Sequence, residues 1–216
     1  MGTAGGRAAG SAIAATLLGC VGFALAQGNE PAFTAPPGSA QATPSPVHTA
    51  PLPMDSAQIA RDAVGVFQRT CLASVGDATA TIDAAINAGL APYAGGGGAS
   101  VASLLGDTPG QVFAFGGATD VLLAVGQDGR CTVWASRADG PTAKQAFVAA
   151  IDAMRANTTV RPVRDRTIER AGGWRHQLGY DIGGARRFRA DAVTLLAAQP
   201  GLQVLQAAPA GIAAPN

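Results

Sequence analysis

The stretch Val121-Leu122-Leu123-Ala124-Val125-Gly126-Gln127-Asp128-Gly129-Arg130-Cys131-Thr132-Val133-Trp134-Ala135 decides the fold. Two runs rich in β-branched and large apolar residues flank Asp128-Gly129, the pair preferred in a two-residue hairpin turn. That turn predicts Gly126 opposite Cys131, Ala124 opposite Val133 and Leu122 opposite Ala135 on one face, with Leu123 opposite Trp134 on the other. Near Cys131 the first face carries side chains small enough to admit a helix.

The helix that fits lies upstream. Ile59, Ala63, Val66, Phe67 and Cys71 recur at helical spacing behind Asp55 and Ser56, which can cap the first turn. Cys71 falls on that apolar stripe, so the helix is expected to dock on the Cys131 face. A second, shorter helix is expected after Asp77, presenting Ile82, Ala85 and Ile86 and stopping near Gly89, a residue suited to a left-handed cap. Gly95-Gly96-Gly97-Gly98 reads as a loop. It lacks the strand, helix and Lys or Ser/Thr at fixed spacing that a phosphate-cradling loop requires.

The first 26 residues read as an export signal. Arg7 precedes an apolar run from Ala8 to Phe23, and Ala24-Leu25-Ala26 before Gln27 is a small-x-small cleavage pattern. Leu17-Leu18-Gly19-Cys20 offers a competing reading as a lipobox, with lipidation at Cys20. The apolar residues Val21 to Leu25 favour soluble export over a lipid anchor. A third reading leaves the segment as a membrane span, although Ala8 to Ala26 is Ala- and Gly-rich and only approaches the roughly 20 residues that a bilayer requires. All three place the remaining chain outside the cytoplasm, in the periplasm or the extracellular space. The first two leave Cys71 and Cys131 as the pair available for a disulfide in an oxidising compartment. Such a bond closes a loop of about 60 residues.

Residues 27 to 54 hold Pro31, Pro36, Pro37, Pro44, Pro46, Pro51 and Pro53 among small polar residues, the composition of a tether. From Asp55 to Ala207 the chain is long enough, at about 150 residues, for one domain with a single core. Residues 208 to 216 are expected to fray. Downstream of the hairpin, Pro141 and Thr142 open a helix carrying Phe147, Ile151 and Met154, with Lys144 and Asp152 facing elsewhere. Strands follow, separated by Gly172-Gly173 and Gly183-Gly184. Trp174, His176, Leu178, Tyr180 and Ile182 alternate with Arg175, Gln177 and Asp181, which therefore face the other way. A three-residue loop at Gly183 would pair Tyr180 with Phe188, Leu178 with Ala190 and Asp181 with Arg187, keeping apolar residues on one face. A last strand is expected around Leu202 to Leu205.

The formal net charge of +1 hides an asymmetry. Residues 55 to 154 hold nine acids against five bases, whereas residues 155 to 191 hold nine arginines against four acids. Arginine forks suit carboxylates and phosphates, so Arg175, Arg187 and Arg189 are the candidate anion-binding set, with an anionic envelope component or another envelope protein as partner. The competing reading is a solvated strand face neutralised by Asp165, Glu169, Asp181 and Asp191. Nucleic acid is not expected, because exposed aromatics do not interleave with the basic residues.

No catalytic residue is assigned. His176 is the one histidine of the domain, since His48 lies in the tether, and Asp181 beside it points to the opposite face. A structural histidine is therefore preferred to a general base. One His and two bonded cysteines cannot supply the usual three or four zinc ligands, and neither a metal nor a cofactor is expected. The carboxylates form no pair suited to glycoside hydrolysis, and no Gly-x-Ser-x-Gly elbow occurs.

Phe67-Gln68-Arg69-Thr70-Cys71-Leu72 and Gly129-Arg130-Cys131-Thr132-Val133-Trp134 resemble an uncharacterised family of small exported proteins and lipoproteins of Gram-negative bacteria. The resemblance spans most of residues 59 to 205 and implies no activity, as no reaction or binding residue comes with it. The expectation is an α+β domain with two N-terminal helices and an antiparallel sheet of about six strands interrupted by one helix, tied by one disulfide. Its expected role is a non-enzymatic binding or structural module of the cell envelope. The alternative is a small envelope hydrolase using His176.

Overall fold

The computed structural model describes residues 55–96, 100–116, 119–170 and 173–211. The export segment with Cys20, the Pro-rich stretch with His48, Gly97, Gly98 and Gly172 of the glycine runs, and the last five residues lie outside the described residues.

Helix α1 (Ser56–Phe67) starts where the Asp55 carboxylate accepts from the Ala57 amide at 3.0 Å, and it buries Ile59, Ala63, Val66 and Phe67 as the spacing predicts. The chain then widens into a π-helical turn (Gln68–Leu72). In it the Thr70 hydroxyl donates to the Val66 carbonyl at 2.7 Å. This turn delivers Cys71 to Cys131, and the two are disulfide-bonded with their Cα atoms 5.3 Å apart. Helix α2 (Ala78–Asn87) is capped by Asp77, whose carboxylate accepts from the Ala80 amide at 2.9 Å. It buries Ala85 but leaves Ile86 exposed.

Among the described residues there are eight strands, β1 (Ala91–Pro92), β2 (Gly110–Ala114), β3 (Val121–Gly126), β4 (Cys131–Asp139), β5 (Thr159–Arg170), β6 (Gly173–Gly183), β7 (Phe188–Leu195) and β8 (Pro200–Pro209). They form one antiparallel sheet in the order β1-β2-β3-β4-β8-β7-β6-β5. Two meanders, β1 to β4 and β5 to β8, are thus joined edge to edge by the last strand. Between them runs helix α4 (Gly140–Met154), with Pro141 in its first turn and the Asp139 carboxylate accepting from the Thr142 amide at 2.9 Å.

The fold is α+β with one disulfide, as expected, but the sheet has eight strands rather than six. The helices also differ from the expected pair: a short helix α3 (Val101–Leu105) joins α1 and α2 ahead of the long strands, and α4 is the fourth. Helix α3 is five residues long, too short for an apolar period to announce it, and is held by the reciprocal cap between Ser100 and Ser103. Strand β8 outruns the expected Leu202 to Leu205 at both ends. It continues through Ala208 and Pro209, which pair with Arg189 and Phe188, so the expected tail begins inside the sheet.

Both hairpin registers are corrected. In the first, the Gly126 amide donates to the Arg130 carbonyl at 2.8 Å and the Gly129 amide to the Gly126 carbonyl at 3.0 Å. The loop therefore has three residues, with Gly129 at φ +80°, the turn-plus-left-handed-glycine alternative to a two-residue loop. A side chain at Gly129 would also strike the Gly76 backbone, its Cβ falling 2.7 Å from the Gly76 Cα. Val125 now opposes Cys131, Leu123 opposes Val133 and Leu122 opposes Trp134. The one-residue slip puts the bulky Val121, Leu123 and Val125 on the Cys131 face and sends Ala124 and Gly126 to the other. Helix α1 still docks on the Cys131 face, against large side chains rather than small ones.

In the second hairpin, Ile182 opposes Phe188, Tyr180 opposes Ala190, Leu178 opposes Ala192 and Asp181 opposes Arg189. The shift from the expected pairing is two residues. An even shift preserves the faces, and alternation alone cannot separate the two registers. The longer loop wins an Ile182–Phe188 contact on the buried side, where both residues sit in the main core.

That core fills the space between α1, α4 and one sheet face. Phe147 of α4 lies 5.9 Å from the Phe67 ring and 6.1 Å from the Tyr180 ring, linking both helices to β6. On the opposite face a smaller cluster, Val112, Ala114, Leu122 and Ala124, is covered by Leu104 and Leu105 of α3. The remainder of that face, from β4 to β5, mixes polar and charged residues such as Gln177, Asp181, Arg189 and Asp191 with Trp134, Val193 and Val204.

Candidate binding surfaces on the sheet

The three sequence-derived arginines do not converge. Arg175 and Arg189 share the face opposite α1 and α4, but Arg175 opposes Leu195 whereas Arg189 opposes Asp181. Six residues of β6 separate those rungs, about 20 Å along the strand. Arg175 donates to the Leu202 carbonyl at 2.7 Å. Arg187 lies in the loop before β7 because the register shift moves it out of the hairpin ladder. This is a correction to the expected pairing of Arg187 with Asp181, whose place Arg189 takes.

Arg187 and Arg189 instead meet Arg161 of β5 around an open groove of about 1180 Å³ at the loop end of β5, β6 and β7. Phe188, Asn157 and the Gly183-Gly184 backbone complete its walls, and Asp181 is its one carboxylate. Arg161 reaches Asp181 at 3.3 Å. Arg187 is exposed; its carbonyl accepts from the Ala210 amide at 3.3 Å, while its guanidinium has no hydrogen-bond or ion-pair partner among the described residues. Long-range pairing brings Arg161 into this set, and its signal in the sequence was limited to membership of the arginine-rich segment.

Beside the groove, Asp191 is buried between two arginines, with Arg189 Nε 3.3 Å from one carboxylate oxygen and Arg164 Nη1 3.6 Å from the other. Burial raises the Asp191 pKa above the usual aspartate value, and the two arginine charges oppose that rise without cancelling it. Arg166 of β5 donates to the buried Gln177 side chain at 2.8 Å. Much of the arginine-rich segment is thus engaged with the sheet itself, as the solvated-face reading expected for part of it.

His176 has a partner that strand alternation pointed away from Asp181 to find. Its Nε2 lies 2.6 Å from the carboxylate of Asp165 on β5, a residue two rungs along the same face. Its Nδ1 is buried and unpartnered, and the Thr194 hydroxyl directly across on β7 is likewise unpartnered and fully buried. A hydroxyl sealed from solvent cannot meet a substrate, so this row does not assemble a reachable nucleophile. His176 does not line the arginine groove.

At the far end of β4 the register shifts between Ala135 and Ala138. Arg137 takes φ +57° there, and its Nε donates to Asp120 at 2.8 Å. That hydrogen bond is the main reason the Asp120 carboxyl is held below the usual range. Among the described residues no group of three His, Cys, Asp or Glu is placed to hold a metal ion, and no helix is long and apolar enough to cross a membrane. No family model matches the chain, and no curated protein or solved structure matches it.

Proposed function

We propose that the protein is an exported, non-enzymatic module of the cell envelope that binds an anionic envelope component. The site is the groove lined by Arg161, Arg187 and Arg189. One observation carries this reading: three arginines face one carboxylate around an open groove, and Arg187 is free of an ion-pair partner among the described residues. Guanidinium forks are matched to the phosphate and carboxylate groups that such polymers present. The reading of the first 26 residues as an export signal, and the resemblance to exported proteins and lipoproteins, support a location in the periplasm or outside the cell.

The test is titration of lipopolysaccharide and of peptidoglycan fragments at low and high salt. Exposed charges are screened over roughly 8 Å at physiological ionic strength, so binding should weaken as salt rises. Arg187→Glu and Arg189→Glu should weaken it further, while Arg175→Glu, at the other end of β6, should not. Binding indifferent to salt and to these substitutions overturns the reading. The hydrolase alternative makes the opposite demand, that His176→Ala abolish activity while the fold and its melting temperature stay unchanged.

A further inference from the structure

Among the described residues five large apolar side chains are exposed, and three of them gather at one end of the sheet. Trp174 is 54 % exposed near the start of β6, Leu196 is 50 % exposed just after β7, and Leu202 is 40 % exposed near the start of β8. The Leu196 amide donates to the Trp174 carbonyl at 2.9 Å, one rung beyond the Arg175–Leu195 pair, so the two stand side by side on the α4 face. Leu202 is drawn to the same end, its carbonyl accepting from Arg175 at 2.7 Å. Single exposed apolar residues are ordinary, but a group of them marks a surface that a partner covers.

The surroundings specify the partner. No residue from Leu196 to Leu202 is charged, so this stretch can leave water without stranding an ion. Beside Leu196, Pro141 and Val148 of α4 line a shallow hollow of about 420 Å³ whose one charged wall is Lys144. Arg170 stands at the end of β5, opposite Gly173. Neither the Lys144 nor the Arg170 side chain makes a hydrogen bond or an ion pair among the described residues. Of the acids near by, Asp139 is taken by the α4 cap, which leaves Glu169 opposite Trp174. An indole and two leucines flanked by free cations match the interfacial zone of an anionic bilayer, where Trp settles at headgroup depth and Lys and Arg meet lipid phosphates. A symmetric contact with a second copy of the chain would instead bring the cations of the two copies together.

We propose that this end of the sheet is a peripheral membrane-binding tip, in which Trp174, Leu196 and Leu202 enter the headgroup region of an anionic phospholipid bilayer and Lys144 and Arg170 meet its phosphates. The arginine groove opens at the opposite end of β6, about 30 Å along the strand. The tip is separate from that groove and stands whether or not the groove binds anions.

The test is quenching of tryptophan fluorescence in the oxidised protein by vesicles of phosphatidylglycerol and phosphatidylcholine with acyl chains brominated near the headgroup, compared with phosphatidylcholine alone. The chain has two tryptophans, and Trp134 packs against the cluster under α3, so Trp174 is the reporter and Trp174→Phe identifies its signal. A blue-shifted, quenched Trp174 on the anionic vesicles supports the proposal. Leu196→Ser, at an exposed position, should weaken vesicle binding about tenfold. The pair Lys144→Glu and Arg170→Glu should weaken it on the anionic vesicles. A Trp174 signal unmoved by the anionic vesicles, or affinity unchanged in both variants, overturns the proposal. So does a Trp174 shift that grows with protein concentration in the absence of lipid, which assigns the tip to a second copy. Loss of quenching on Arg187→Glu alone assigns the lipid contact to the groove and also overturns it.

Discussion

The hairpins β3–β4 and β5–β6 are both antiparallel and both join neighbours in the chain, yet they are opposites in what surrounds them. Every residue of β3 is buried, because α1 and α2 cover one of its faces and α3 the other. Its partner β4 is tied through Cys131 to the π-helical turn. By contrast β5 is the edge of the sheet and exposed along most of its length. It carries Pro162, a register shift around Val163 and a row of arginines, the devices that keep an edge strand from recruiting another chain. Where a hairpin is enclosed, sequence is spent on packing. Where it is not, charge is tolerated and becomes available for recognition.

Breaking the enclosed hairpin should have the largest effect. The disulfide closes a loop of 60 residues, so the Cys71→Ala/Cys131→Ala pair should lose about 4 kcal/mol if chain entropy dominates. Denaturant unfolding of oxidised and variant protein measures this. Next, Leu123→Ala should cost about 3 kcal/mol as a cavity in the main core, whereas Val163→Ala at the exposed edge should stay within about 0.5 kcal/mol. Equal losses would erase the distinction between the hairpins.

The pH dependence should also divide along it. Asp120 has a lowered folded pKa, so its contribution is present above the ordinary aspartate value and is lost as pH falls through the folded one. Asp191 has a raised folded pKa, so its contribution is greatest below the ordinary value and declines as pH rises through the folded one. Stability curves of Asp120→Asn should lose the acid-side fall, and those of Asp191→Asn the decline on the other side. The smallest effect is expected from Arg161→Ala, which breaks an exposed ion pair and should change stability by no more than about 0.5 kcal/mol. The same variant should weaken anion binding, a split that calorimetry of unfolding and of binding can read on one sample.

The elements legible in the sequence were those with a long apolar period. The α1 stripe, the α4 stripe and the alternation from Leu178 to Ile182 each set a buried face correctly, whereas Trp174 at the start of that alternation is exposed and Gln177 on the other face is buried; the cysteine count gave the bond. What alternation does not fix is the register. At Gly126 to Arg130 the choice between two- and three-residue loops rested on the glycine conformation and on how α1 fills the face above. At Gly183 two registers placed the same residues inward. The sites inherited that uncertainty. Arg161 joins Arg187 and Arg189 only once β5 is known to pair with β6, and Trp134 lies beside Val204 only because β8, the last strand, inserts next to β4. His176 was correctly separated from Asp181, while its partner Asp165 came from a strand whose pairing no local pattern announces.

The central claim is that stability resides in the disulfide-tied half and that the arginine-bearing edge is free to bind because little of the fold depends on it. Native-state hydrogen exchange, read residue by residue on the oxidised and the reduced protein, addresses it directly. The account predicts that β3 and β4 amides exchange only through global unfolding and lose protection on reduction, while the outer amides of β5 exchange through local opening at a rate reduction barely changes. Protection of β5 equal to that of β3, falling in step with it when the disulfide is broken, would contradict the account.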